Sequence, residues 1–201
     1  MLCDCIAFLN ERLDTVGLFR VPGNQDTVNA LRAKYEVASS LVDDTDDVLS
    51  SIAVEAHDVA TLFKLFLRQL PEPLVPMHMY DTVLSTAAKL GDQLASDEGG
   101  VIQPVLNVVK EIPSPHRECL GMVVQFLFRV STFASVNKMG AGNLAVCLAP
   151  TLIRTPDGID PRQALLDLKT IIEVTSLLIR HADKLGAPKS REIAAHTRYK
   201  G

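Results

Sequence analysis

Apolar side chains recur at steps of three and four residues along most of the chain, which is the spacing of one helix face. The clearest stretch is 57–70, where the apolar positions are Val59, Leu62, Phe63, Phe66, Leu67 and Leu70. Asp58 lies near its start, where a carboxylate interacts favourably with the helix dipole. Pro71 ends it, because a proline disfavours the α conformation in the residue before it. The pattern therefore predicts a well-formed helix over 57–70.

The same spacing predicts further helices, over residues 2–13, 24–37, 76–90, 97–111, 115–134, 141–149 and 160–184. Asn24 is the expected N-cap of the helix that follows it, and Pro76 suits a first helical position. The last helix has apolar positions at Leu165, Leu168, Ile172 and Ile179. We find no alternating strand pattern and no internal repeat. The sequence therefore predicts an all-α fold that is not a solenoid of helix pairs.

Composition narrows the functional classes. A chain of 201 residues with 47% apolar residues fits one globular domain. The formal net charge of −4 argues against nucleic acid as the main partner, because such proteins normally have a basic surface. No apolar run approaches the ~20 residues that span a bilayer. We therefore expect a cytoplasmic protein without direct membrane insertion.

The residue spacing supports neither a metal site nor a nucleotide site. The cysteines form no CxxC pair and the histidines are scattered, so we expect no metal ion. Residues 140–145, GAGNLA, match a dinucleotide-binding fingerprint, but that fingerprint needs a preceding strand and none is predicted. We expect Gly140 instead to cap or precede the helix over 141–149. No catalytic triad or pair of carboxylates stands out by spacing.

Basic residues are the candidates for contact with an anionic partner. Lys64 and Arg68 stand four apart on one helix, where like charges cost about 0.2–0.5 kcal/mol in an isolated helix. They form either an ordinary exposed face or a site for an acidic or phosphate-bearing partner. Arg20 lies in the irregular, apolar-flanked segment 17–23, GLFRVPG. It is either a surface arginine worth little to stability or a rigidly presented guanidinium.

Four segments, in this order, resemble the motifs of Rho GTPase-activating domains. Residues 17–20, GLFR, are similar to the arginine-finger loop of that family. Residues 64–74, KLFLRQLPEPL, resemble its signature K-x-x-L-R-E-L-P-E-P-L, and residues 115–117, PHR, resemble its P-x-x-H-R segment. Residues 137–152 are similar to its N-K-M-T-x-x-N-L-A and G-P-x-L segments. The approximate spacing also agrees, so the resemblance covers the chain to about Leu185.

This resemblance implies a fold and its boundaries. The fold is a single compact bundle of about nine helices over residues 1–185, followed by a tail or linker over 186–201. Family domains usually begin with an extended segment and an earlier part of the first helix. We therefore expect the N-terminal edge to be truncated and the chain to be a fragment of a larger protein. The acidic run 43–47, DDTDD, is expected to be a solvated turn.

The resemblance also implies roles for individual residues. Arg20 takes the position of the catalytic arginine finger. Lys64 and Arg68 take the positions of paired basic residues that support the finger loop and contact the GTPase, and Asn143 takes that of the interface asparagine. The residues expected to support this site structurally are Gly17, Phe19 and Pro150.

The sequence departs from the family pattern at four positions near these residues. Val16 replaces an acidic residue that often precedes the glycine, and Gln69 replaces the usual glutamate. Gly140 replaces a Thr or Ser that would cap a helix, which glycine does tolerably well, and Ala149 replaces a glycine. None of these changes removes a charge from the implied site, so they bear on potency rather than on activity.

By this resemblance the chain stimulates GTP hydrolysis by Rho-family small GTPases in their GTP-bound form. It would then not be an enzyme itself, but an activator that supplies Arg20 in trans. The domain would be monomeric and need no cofactor or metal, since GTP and Mg²⁺ belong to the partner, and flanking domains would recruit it to membranes. Two alternatives stay open: a module that binds GTPases without accelerating them, and a helical scaffold unrelated to GTPases.

Overall fold

The computed structural model describes residues 1–38, 48–49, 53–96 and 100–185. The acidic run 43–47 and the segment 186–201 therefore lie outside the described residues. Within the described part the chain forms ten α-helices, two of them a single turn long, and no strand. The predicted all-α fold is confirmed. No helix in these ranges is long and apolar enough to cross a bilayer.

The helices follow one another with short connections. The first five are α1 (Leu2–Asn10), α2 (Gln25–Ala38), α3 (Ala56–Gln69), α4 (Tyr80–Leu90) and α5 (Gln93–Ser96). The other five are α6 (Ile102–Glu111), α7 (Ser114–Thr132), α8 (Ala134–Asn137), α9 (Ala141–Leu152) and α10 (Pro161–Arg180). Single 3-10 turns at Met77–Met79 and Ala182–Leu185 precede α4 and follow α10. Helices α1, α2 and α9 pack on α3, and α10 packs along α9.

The ends of the helices differ from the predicted ones where local backbone chemistry decides. Pro76 caps the 3-10 turn, and the α-helix begins only at Tyr80. The single-turn helices α5 and α8 were not predicted, because four residues carry no readable periodicity. Leu165 follows the apolar spacing of α10 but is 70% exposed. Apolar spacing therefore located the helices better than it located their buried faces.

Three aromatic rings join the loop after α1 to the centre of the bundle. Phe19, Phe63 and Phe126 are fully buried, and their ring centroids lie 5.4, 6.0 and 5.9 Å apart. Phe19 meets each of the other two edge to face, an arrangement worth about 0.5–1.5 kcal/mol per pair beyond the buried area. The loop is thus anchored to α3 and α7 by its own aromatic side chain.

Helix α3 is fixed at both ends. At its start Glu55 and Asp58 form a capping box, in which the Glu55 N–H donates to Asp58 Oδ2 at 2.9 Å. At its end the Arg154 guanidinium donates to the carbonyl oxygens of Leu67 and Leu70, at 3.0 and 2.5 Å. These carbonyls would otherwise lack intrahelical partners. Because Arg154 lies two residues after the end of α9, this contact also ties α3 to the end of α9.

Candidate functional site

The loop between α1 and α2 carries Arg20, and its first part is a tight turn around Gly17. The Gly17 N–H donates to the carbonyl oxygen of Asn137 at 2.8 Å, and its own carbonyl accepts from the N–H groups of Arg20 and Val21 at 2.8 and 2.9 Å. Its φ of +73° lies in the left-handed region, and a Cβ there would stand 2.8 Å from Val21 Cγ2. Only glycine fits this position without strain.

Phe19 is the anchor of the loop. Its φ of +70° is unusual for a residue with a side chain and costs about 1–2 kcal/mol. Burying the whole ring contributes about 1.5–3 kcal/mol, which offsets that cost. With the Phe19 ring directed into the core, the next side chain, Arg20, is exposed. A strained backbone held by burial is typical of positions where geometry matters for function.

Lys64 holds the carbonyl group of Phe19. Its Nζ donates to the Phe19 carbonyl oxygen at 2.6 Å from the middle of α3. Burial lowers the pKa of the Lys64 amine from its usual value; the nearby Cys147 thiol acts to raise it, and the positive charge of Arg68 lowers it further. The sequence left open whether Lys64 belongs to an ordinary exposed face. The structure shows it half-buried and hydrogen-bonded to the residue before Arg20.

A second set of contacts with α3 holds the end of the loop, just before α2. The Gly23 N–H donates to Thr61 Oγ1 at 2.9 Å, and the Asn24 N–H donates to Asp58 Oδ1 at 2.7 Å. A Cβ at Gly23 would stand 2.5 Å from Asp58 Cα, so the two backbones touch only because this residue is glycine. The expected N-cap at Asn24 is confirmed, since its Oδ1 accepts from the N–H groups of Asp26 and Thr27.

Arg20 itself projects from this fixed loop. Its side chain is exposed and makes no hydrogen bond or ion pair to any described residue. Burial raises the pKa of the Cys147 thiol on α9, while the positive charges of Lys64 and Arg20 act to lower it. Arg20 and Lys64 are therefore both close enough to α9 to act on one thiol.

The remaining predicted residues lie on the neighbouring helices. Arg68 is exposed in the last turn of α3, where a cation interacts favourably with the helix dipole. Asn143 is exposed in the first turn of α9, one helical turn before Cys147 and hence on the side near Arg20. Its Nδ2 donates to the Lys138 carbonyl oxygen at 3.0 Å. Pro150 is exposed in the last turn of α9, so any support it gives the site acts through the helix backbone.

Sequence reasoning overlooked two residues that hold the loop. Asn137 accepts the Gly17 N–H through its carbonyl, and its side chain is fully buried. Thr61, on α3, accepts a hydrogen bond from the Gly23 N–H. Asn137 lies inside the segment 137–152 that carries the resemblance, but spacing assigned it no role. The signal that could have identified Asn137 is its position as a polar residue between two predicted apolar helices. The sequence offered no comparable signal for Thr61.

Comparisons with known proteins agree with these motifs. The RhoGAP domain model matches residues 1–157. Rho GTPase-activating protein 24 of Mus musculus is 33% identical over 189 residues, which cover 94% of this chain and 24% of that protein. Rho GTPase-activating protein 22 of Mus musculus is 34% identical over 190 residues, covering 94% and 25%. The chain thus spans about a quarter of the length of these relatives.

Solved structures share the fold. The crystal structure of human Rho GTPase activating protein 15 superposes with a TM-score of 0.76 at 25% identity, covering 92% of this chain and 82% of that one. The BH domain of GRAF, a GTPase regulator associated with focal adhesion kinase, superposes with a TM-score of 0.73 at 24% identity, covering 94% of each chain. The predicted RhoGAP type of helical bundle is therefore confirmed.

One sequence-based prediction is wrong. We predicted that the chain is not an enzyme, but the matching family and relatives are named for GTPase activation, which is the stimulation of a chemical reaction, GTP hydrolysis. The prediction required an active site complete within this chain, whereas stimulation of GTP hydrolysis is itself an enhancement of catalysis. With a family match over most of its length and relatives aligned to nearly all of it, the chain belongs to the RhoGAP domain family.

Proposed function

We propose that this domain stimulates GTP hydrolysis by a Rho-family small GTPase in its GTP-bound form, by inserting Arg20 into the active site of the partner. One observation carries the proposal. Arg20 is an exposed guanidinium without a partner among the described residues, on a loop whose backbone is held by hydrogen bonds on both sides of it. A surface arginine without function needs no such support.

The chemistry favours a rigid cation. Charge develops on the β- and γ-phosphate oxygens as the terminal phosphoryl group departs, and a guanidinium placed there stabilises the transition state more than the ground state. An arginine supplied in trans accelerates the reaction by about 10³–10⁵-fold, or roughly 4–7 kcal/mol of barrier. A preorganised loop needs no rearrangement at the moment of reaction. GTP and Mg²⁺ belong to the partner in this scheme.

The neighbouring residues divide into support and contact. Lys64 donates a hydrogen bond from its Nζ to the Phe19 carbonyl oxygen and so supports the loop from within the domain. Arg68 and Asn143 are exposed on the two helices that flank Arg20, where they are available to a docked GTPase. Each can therefore contribute to association without being needed for the fold. The domain acts as a monomer in this proposal.

A single-turnover assay of phosphate release tests the proposal, using a panel of GTP-loaded Rho-family GTPases. Arg20→Ala should remove most of the stimulation and leave binding to the GTP-loaded partner largely intact. The matched control is Arg32→Ala, since Arg32 is an exposed arginine on α2 that pairs with Glu36 at 2.8 Å. This control should retain the wild-type rate.

Further outcomes separate the alternatives. Wild-type stimulation by Arg20→Ala would refute the proposed role of Arg20 as the arginine finger. Binding of the GTP-loaded partner without acceleration by the wild type would identify a binding-only module, and no binding by any GTPase of the panel would identify a scaffold. Arg68→Ala and Asn143→Ala should weaken association while the variants stay folded. If instead they lose their fold, their roles are structural.

A further inference from the structure

Asn137, at the end of α8, joins parts of the chain that are far apart in sequence. Its side chain is fully buried. The Nδ2 group donates to the carbonyl oxygens of Leu13 and Val130, at 2.7 and 2.8 Å. The Oδ1 atom accepts from the Met139 N–H at 2.7 Å. The backbone carbonyl of Asn137 accepts from the Gly17 N–H at 2.8 Å.

These hydrogen bonds connect the loop that carries Arg20 with the helix that carries Asn143. Leu13 and Gly17 mark the beginning of the loop, and Met139 leads into α9. Lys138, between Asn137 and Met139, has a left-handed φ of +63°. Its carbonyl oxygen accepts a hydrogen bond from Asn143 Nδ2. One buried amide and the turn beside it therefore hold both segments.

We infer that Asn137 is a positioning residue. It fixes Arg20 and Asn143 relative to each other, so that Arg20 is correctly placed in the active site of the GTPase when the domain docks. This inference rests on the proposed function. Asn137 is fully buried, so it acts only through the segments it holds. A loop displaced by about 1 Å would keep its arginine and still lose as much as 10²-fold in rate.

The asparagine is suited to this place because it supplies two N–H donors and one acceptor, and all three are used. Aspartate has nearly the same shape and keeps the acceptor for the Met139 N–H. It cannot donate to the carbonyl oxygens of Leu13 and Val130, and its charge faces both of them. Asn137→Asp therefore loosens the start of the loop while filling the same volume.

The test measures maximal rate and half-saturating concentration separately, in single-turnover phosphate release with a GTP-loaded Rho-family GTPase. Asn137→Asp should lower the maximal rate about 10- to 100-fold and change the half-saturating concentration by less than about threefold, at a temperature where circular dichroism shows it folded. The control is Tyr80→Phe. It removes a buried hydrogen bond of 2.9 Å from Tyr80, on α4, to Asp167 Oδ2, on α10. It should keep the wild-type maximal rate.

A folded Asn137→Asp variant with the wild-type maximal rate would overturn the inference, and so would an equal loss in Tyr80→Phe. If Asn137→Asp does not fold, hydrogen exchange on the wild type decides. The amides of Gly17 and Met139 should be protected together, and rapid exchange at Gly17 would overturn the role of Asn137. Should Arg20→Ala retain full stimulation in the same assay, the proposed function itself fails, which is a separate result.

Discussion

Replacing Lys64 with methionine tests how much the loop depends on α3. Methionine keeps an unbranched apolar side chain of similar length and removes the ammonium group. The change therefore deletes the 2.6 Å hydrogen bond to the Phe19 carbonyl oxygen while leaving the packing of the stem largely in place. Two effects on the free energy of unfolding oppose each other.

General magnitudes for such interactions give the size of each effect. A hydrogen bond to a charged group is worth about 1.5–3 kcal/mol, and its loss destabilises the fold. The substitution also removes the repulsion between Lys64 and Arg68, four residues apart on α3, which returns about 0.2–0.5 kcal/mol. Burial lowers the pKa of the Lys64 amine, so part of the cost of desolvating its charge also disappears. We expect a net loss of about 1–2.5 kcal/mol.

Urea unfolding followed by circular dichroism measures this loss, and phosphate release measures its effect on the proposed activity. The maximal stimulated rate should fall, because the carbonyl released by the substitution belongs to the residue before Arg20. Arg68→Met is the matched control: Arg68 is exposed on the same helix and makes no hydrogen bond within the described ranges. Its stability should stay within about 0.5 kcal/mol of the wild type. Equal stabilities for Lys64→Met and wild type would refute the reasoning.

Two further predictions concern stability and thiol reactivity. Gly23→Ala should destabilise the domain by about 1–3 kcal/mol in urea unfolding, because its Cβ would stand 2.5 Å from the backbone of Asp58. Gly142→Ala, in the open on α9, should instead gain up to about 1 kcal/mol, and a similar loss in both variants would contradict the steric cause. Alkylation at pH 8, read by mass spectrometry, should modify Cys3 and spare Cys5, since Cys3 is exposed and burial raises the pKa of Cys5 to about 12. Modification of Cys5 as fast as Cys3 would show that α1 opens readily.

The fold was accessible from the sequence because its helices are long enough to show their period. The helix over 57–70 was located to within one residue, since an apolar stripe and Pro71 define both its face and its end. Helices α5 and α8 were missed because one turn has no period to detect. Leu165 shows a further limit of sequence-based prediction. The spacing indicates which residues share a helix face, but it does not indicate which face is buried in the bundle.

The candidate site was less accessible, for a physical reason. Arg20, Lys64, Arg68 and Asn143 could be named from motifs, and the structure places them on a loop and two adjacent helices. The contacts that hold the loop come from backbone carbonyls and from polar side chains such as Thr61 and Asn137, which have no characteristic spacing. Asp58 illustrates this, because it was expected only to favour the helix dipole and also receives the Asn24 N–H.

The hydrogen bond between Gly17 and Asn137 has a consequence for how the domain matures. These residues lie far apart in the sequence, so this contact cannot form until both segments have been made. Contacts between such distant residues form late and slowly in folding, because the intervening segment must first be brought together. During synthesis Arg20 would be made before α8 and would acquire its final placement only after α8 has followed. Incomplete chains would thus display the guanidinium before its loop has reached its final geometry.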